Sequence, residues 1–310
     1  MAFKLEYCLS DTYNVGDDLN PWLWPQLFGD LIVEDSSRYF LGIGTILTEK
    51  RLNKTLSGAD EVIIFSSGAW EWNVPKLSDK CAVYGVRGPR TAKKLGLKPE
   101  LVVGDGAYLL REVDFPKAEI QKGKIGFIPH HRSEDFIDWD KVCQKIGLTY
   151  ITAKQPVETF LLALQECESV VTEAMHGAII ADALRIPWKG VRFSPAFDDE
   201  KWYDFAESMD VELILHDLPF ISVNKMPIGK LLENTFKRNV AKLFKSSSRK
   251  WLSLVTVYKL ASNDDMKNLQ LKLKVLANDK SNYQLSSLAQ LNAIVEIQKE
   301  VISKIIKDQN

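Results

Sequence analysis

The sequence is poor in the residues that hold metals or cross-link chains: its 310 residues include only four cysteines and four histidines. Cys8, Cys81, Cys143 and Cys167 are scattered, with no C-x-x-C pair and no histidine cluster beside them. Neither a zinc site nor a disulfide framework is therefore expected, and all four read as buried thiols. No stretch approaches the roughly 18 uncharged apolar residues of a membrane-spanning helix. The opening residues, MAFKLEYCLSDTYNVGDD, lack the basic segment and long apolar run of a signal peptide, so a cytoplasmic chain is expected. No internal repeat is evident. Net charge is nearly absent too, at −1, but this balance hides an asymmetry. Residues 1–224 carry 24 Lys and Arg against 34 Asp and Glu, whereas residues 225–260 carry nine against one.

What is present is enough apolar material, 45% of the chain, for two cores of ordinary size. From residue 3 to about 222, short apolar runs alternate with longer segments of helical spacing, the pattern of βαβ units on parallel sheets. Strands are expected at 3–9, 39–43, 61–65, 81–86, 101–103, 124–128, 148–152, 169–172 and 188–191. Helices are expected at 19–28, 88–95, 137–145, 156–167 and 178–184. The series breaks once, at 111–124, a charged segment containing Pro116 and Gly123 that reads as a linker. The expected fold is therefore α/β, with two Rossmann-like lobes of glycosyltransferase-B type: residues 1–115, residues 116–224, and a basic, helical extension over 225–310.

In an open parallel sheet, ligands bind beyond the carboxyl ends of the strands, so the segments following the strands are the informative ones. They are rich in glycine and polar residues: Asn14, Gly16, Asp17 and Asp18; Gly42 and Gly44; Ser66, Ser67 and Gly68; Arg87 and Gly88; Gly104, Asp105 and Gly106; His130, His131 and Arg132; Glu173, His176 and Gly177. Glycine lets backbone N–H groups approach a ligand, and helix N-termini favour anions, so the cleft reads as built for a charged or phosphorylated ligand. Each feature also has a structural reading. Asp17 and Asp18 are suited to capping the following helix. Arg87 ends an apolar strand, where its guanidinium suits either an anionic ligand or an internal salt bridge. His130 and His131 are adjacent, so in extended backbone they face opposite ways and only one should meet the cleft. Trp70 and Trp72 offer flat faces for a sugar or for local packing.

In order and spacing, the motifs over roughly residues 4–195 resemble the polysaccharide pyruvyl transferase family, in particular its succinoglycan-type, ketal-forming branch. They are the loop of Asn14, Gly16 and Asp17, LGIGTIL at 41–47, FSSGAW at 65–70, VRGPRTAKKLG at 86–96, VVGDGAYLL at 102–110 and TEAMHGAIIADALRIPW at 172–188. The resemblance implies transfer of a pyruvyl group from phosphoenolpyruvate, a co-substrate, to two hydroxyls of one sugar of a polysaccharide or its lipid-linked precursor. It implies no further cofactor and no bound metal. On that chemistry Arg87 is expected to clamp the donor anion, and His176 to move protons or stabilise phosphate. Glu173 is expected to orient His176 or deprotonate a hydroxyl, and Asn14 and Asp17 to hold the acceptor. Gly16, Gly44, Gly68, Asp105, His130 and Gly177 complete the expected binding set. In the wider family the histidine motif often reads R-L-H; here Ala174 and Met175 precede His176, so that arginine's part is either absent or supplied by another cation, Arg90, Arg132 or Arg192.

Two other readings compete: a nucleotide-sugar glycosyltransferase of the same architecture, which ALRIP loosely echoes, and a non-catalytic glycan-binding or scaffold module. The basic block at 225–260 interleaves cations with Leu, Phe, Val and Trp251. It suits a helix lying on an anionic membrane near a lipid-linked acceptor, or one packing on the acidic first 224 residues. Nucleic acid is not an expected partner, since no recognition motif accompanies the charge. The last helix, with Ile294, Ile297, Val301 and Ile305, suits a hairpin or a dimer contact.

Overall fold

The structure is a computed structural model that describes residues 1–9, 11–69, 74–223, 228–243 and 260–309. Trp70, Trp72 and most of the basic block lie outside the described residues. The fold is α/β with two parallel sheets. The first sheet sets β1 (Lys4–Leu5), β2 (Arg38–Leu41), β3 (Glu61–Ile64) and β4 (Cys81–Val83) side by side in that order. The second has the order β6-β5-β7-β8-β9, made of β5 (Gln121–Ile128), β6 (Thr149–Tyr150), β7 (Cys167–Thr172), β8 (Trp188–Arg192) and β9 (Leu215–Asp217). Val170, Val171 and Thr172 of β7 are all buried, as in parallel strands covered on both faces.

Each sheet has a point where the chain turns back, and these two points place the site. In the second sheet, β5 carries β6 on one edge and β7 on the other, so the loops after β5 and β7 diverge there. In the first, β1 pairs with β2 on one edge, and Phe3 bridges to Ile32 on the other, after the helix α1 (Val15–Phe28). A crevice beyond the strand ends is the expected ligand position at such points. Buried Asn20 of α1 fixes one wall. Its side chain donates to the Ile43 and Asp17 carbonyls (both 3.0 Å) and accepts from the Ile43 N–H and the Trp24 indole (both 2.9 Å), pinning the loop after β2 against the helix. Gly42 is obligatory there, because a Cβ would lie 2.3 Å from the Trp24 indole nitrogen.

The remaining helices are α2 (Pro89–Lys94), α3 (Trp139–Ile146), α4 (Val157–Gln165), α5 (Met175–Ala183), α6 (Asp199–Ser208), α7 (Ile228–Leu243), α8 (Asn263–Asn278) and α9 (Leu288–Gln309). One continuous apolar core runs through both halves, from Phe3, Trp24, Phe40 and Phe65 to Phe160, Trp188, Trp202 and Phe205. Truncating any one of its fully buried tryptophans to alanine should remove about 3–5 kcal/mol. In the last helix Leu291, Ile294, Val295, Ile302 and Ile305 join that same core, while Ile297 is exposed. Leu269, Leu273 and Ala277 of α8 pack instead with Trp139, Val142 and Ile146 of α3.

Three local expectations are corrected. Residues 99–101 form a 3₁₀ turn begun by Pro99, which lacks the N–H a strand would use, and Val102 makes a single bridge to Val86. The first strand is two residues long rather than seven. Cys8 and Cys81 are only half-buried, whereas Cys143 and Cys167 are buried.

Candidate active site

A cavity of about 210 Å³ opens where the two turning points meet. The first turns of α1, α5 and α6 all reach it, through Val15, Gly16 and Asp17, through Met175, His176 and Gly177, and through Asp198 and Lys201. Three helix N-termini directed at one space make it favourable to negative charge.

His176, in the first turn of α5, is wedged between the halves. Its Nδ1 lies so close to Gly16 of α1 that a Cβ on Gly16 would sit 2.2 Å from it. Its Nε2 is buried, without a hydrogen-bond partner, 3.7 Å from Oδ2 of Asp105. Asp105 is fully buried; its other oxygen accepts the Ala107 N–H (3.0 Å) and caps the 3₁₀ turn Gly106–Glu112. Burial alone would push the Asp105 carboxyl up, but His176, Arg87 and the Ala107 N–H together hold it below the usual carboxylate range. Asp17 goes the other way: burial raises it, against His176 and the Asn14 amide, which donates to it at 2.6 Å.

The cavity lining also holds two cations, Lys201 and Arg132, and two histidines, His130 and His131. Among the described residues neither the Lys201 ammonium nor the Arg132 guanidinium has a hydrogen-bond or ion-pair partner, although nearly every other arginine has one. Burial lowers Lys201, with Asp198 opposing. Burial and the neighbouring cations, Lys201 foremost, keep His130 well below its ordinary value; burial, Arg132 and Lys201 bring His131 down to about 4. Two histidines disfavoured as cations therefore stand beside Lys201 and Arg132 in a lining that also holds Asp17 and Asp198.

Asn14, Gly16, Asp17, Gly44, His130, His176 and Gly177 all line the cavity. Four other expected residues do not. Arg87 is buried and takes the internal alternative: its Nε donates to Asp204 (3.0 Å) and its Nη1 to Thr45 (2.9 Å). Gly68 is the floor on which that guanidinium rests, since a Cβ there would lie 2.3 Å from Nη2. Asp105 sits behind His176. Glu173 is buried at the edge of a side recess, where its two oxygens accept the Ser194 N–H (2.8 Å) and the His130 N–H (3.1 Å). It thereby ties the loop after β5 to the end of β8; burial holds it above its ordinary value against these donors. His130 and His131 do not face opposite ways: after β5 the chain turns, and both rings line the cavity with centroids 4.2 Å apart. Of the three arginines named as replacements, Arg90 is held by Glu200 and Glu207, and Arg192 by Asp199 and Asp217, so Arg132 alone is free at the cavity.

Lys201 was not legible as a site residue because α6 was not expected. The signal was there: Asp198 as cap, an acidic first turn, and Trp202, Phe205, Ala206 and Met209 at i, i+3, i+4 and i+7, all buried. Among the described residues no three His, Cys, Asp or Glu side chains are grouped as metal ligands would be.

An α/β chain with this cleft and this histidine loop matches the polysaccharide pyruvyl transferase family over residues 16–192. The chain belongs to that family. It is similar to the succinoglycan biosynthesis protein ExoV of Rhizobium meliloti (strain 1021), being 33% identical over 210 residues, 67% of this chain and 65% of that protein. The chain thus matches just under two thirds of that relative's length. No solved structure matches it.

Proposed function

We propose that this chain transfers the pyruvyl group of phosphoenolpyruvate to two hydroxyls of one sugar, in a cell-surface polysaccharide or its lipid-linked precursor, closing a cyclic ketal and releasing phosphate. The observation that carries the reading is the apposition of His176 to two partnerless cations, Lys201 and Arg132, across one small cavity. Phosphoenolpyruvate carries a phosphate and a carboxylate on three carbons, and two cations beside three helix N-termini match that charge. In the reaction, a proton adds to the methylene carbon, and a sugar hydroxyl adds to C2 as its own proton leaves. The second hydroxyl then displaces phosphate from C2, its proton leaving with the phosphate. His176 is the group placed to move these protons, and Lys201 and Arg132 to neutralise the departing phosphate. Lys201 takes the part that arginine plays two residues before the histidine elsewhere in the family, a position here occupied by Ala174.

We read the two sheets as two Rossmann-like lobes of glycosyltransferase-B type. On this reading residues 116–224, which supply His130, Arg132, His176 and Lys201, form the donor side, and residues 1–115, with Asn14 and Asp17, the acceptor side. A nucleotide-sugar donor is the competing reading, separated from this one by which donor is consumed. No helix among the described residues is long and apolar enough to cross a membrane. A peripheral position at the inner membrane face is proposed from α7, whose Leu232, Phe236 and Leu243 are exposed within the basic segment. Leu232→Ser with Phe236→Ser should then halve sedimentation with anionic liposomes; unchanged sedimentation would end that part of the reading.

The test is to incubate the protein with phosphoenolpyruvate and an oligosaccharide acceptor while following phosphate release and the ketal methyl singlet by proton NMR. His176→Gln should lower kcat by about 100-fold or more while the protein stays folded. Consumption of a nucleotide sugar with phosphoenolpyruvate untouched would overturn the proposal.

A further inference from the structure

Two buried polar atoms without partners face each other across the boundary between the halves. Nε2 of His176 belongs to α5 of the second half, and Oδ2 of Asp105 to the loop after Val103 in the first. The gap is 3.7 Å, less than an ångström beyond a hydrogen bond, and the carboxylate's other oxygen is already occupied by the Ala107 N–H. Leaving both atoms unpaired is costly in an interior, whereas a small approach of the two halves satisfies both at once. Asp105 cannot meet a substrate, being fully buried and absent from the cavity wall.

We propose that Asp105 is a positioning residue, which accepts the Nε2–H of His176 and so fixes the tautomer in which Nδ1 carries the lone pair. Nδ1 is the nitrogen lying against Gly16, on the cavity lining, so the proton-moving atom is presented to the reactants while the carboxylate stabilises the imidazolium formed when it takes a proton. Because the two residues come from different halves, the base is complete only when the halves are seated together. Gln298 of α9 contributes to that seating: its amide donates to the Val103 and Asp105 carbonyls (both 2.9 Å) and holds the aspartate loop from behind.

The role of His176 in catalysis rests on the proposed pyruvyl transfer, but its tautomer does not, and the experiment separates the two. Asp105→Asn keeps an oxygen to accept the Ala107 N–H and turns an NH₂ donor toward Nε2, which favours the opposite tautomer. Two-dimensional ¹⁵N–¹H NMR of histidine-labelled protein, with the His176 signals assigned from His176→Gln, should show Nε2–H in the wild type and Nδ1–H in Asp105→Asn. With phosphoenolpyruvate and acceptor, the same variant should lose kcat by at least about tenfold while the donor KM stays within about twofold. If His176 has the same tautomer in both proteins, the proposal is overturned, whatever the substrate turns out to be. A change in tautomer with no turnover of phosphoenolpyruvate in the wild type would uphold it and refute the donor assignment instead.

Discussion

The side chains that define the cleft are held at some cost to stability. Lys201 keeps an ammonium in a place where burial disfavours it, so the folded state binds that proton less readily than the unfolded chain. Stability therefore rises as pH climbs through the window below the ordinary lysine value, and an apolar replacement should gain at neutral pH. Lys201→Met is expected to raise Tm in the absence of donor, and to raise the donor KM by about tenfold or more, the loss of one charged hydrogen bond. His131 follows the same logic in acid. Its proton is disfavoured in the fold, so stability is in place above the ordinary 6.5 and is lost as pH falls toward about 4. A denaturation series over that range should flatten in His131→Asn. Gly16 completes the residue scale. Gly16→Ala would put a methyl group 2.2 Å from Nδ1 of the wedged His176, so the ring must shift; Tm should fall, and activity should drop about tenfold or more.

The elements were legible to differing degrees, for physical reasons. The buried strands β2, β3, β5, β7 and β8 stand out as apolar runs, and they lie where the periodicity puts them. The strand-end loops followed from that, and with them His176, Asn14 and Asp17. Hidden from sequence were features that depend on contacts between distant elements. Arg87 reads as a ligand clamp, with a salt bridge as the alternative, until Asp204 of α6 arrives beside it, 117 residues later. The pair is a clasp between α2 and α6: Asp204 also accepts the Thr91 N–H (2.8 Å) and hydroxyl (2.7 Å), and Arg90 and Lys94 reach Glu200 outside it. Asp204→Ala leaves the Arg87 charge buried and unpaired, and should destabilise the fold by about 3–5 kcal/mol in urea denaturation. A loss under about 1 kcal/mol would mean that the clasp is not what joins these helices.

Across the whole molecule, the cleft exists because two sheets with turning points are locked into one body. The shared core, the α2–α6 clasp and α9 do this together. The last helix hydrogen-bonds to the second half near its start, where Gln290 donates to the Ser208 carbonyl (3.0 Å), and to the first half near its end, where Asp308 accepts from Tyr84 (2.9 Å). Membership of the pyruvyl transferase family was legible in the motifs of the first two thirds of the chain; Lys201 of the cavity lining was not, because it comes from a helix beyond them. On the proposed function this cavity binds phosphoenolpyruvate, with its phosphate and carboxylate, between Lys201, Arg132 and His176. Calorimetric titration of phosphoenolpyruvate into the wild type and Lys201→Ala tests it most directly. Saturable one-to-one binding by the wild type is expected, weakened at least about tenfold in the variant; equal affinities, or no binding by the wild type, would contradict that assignment.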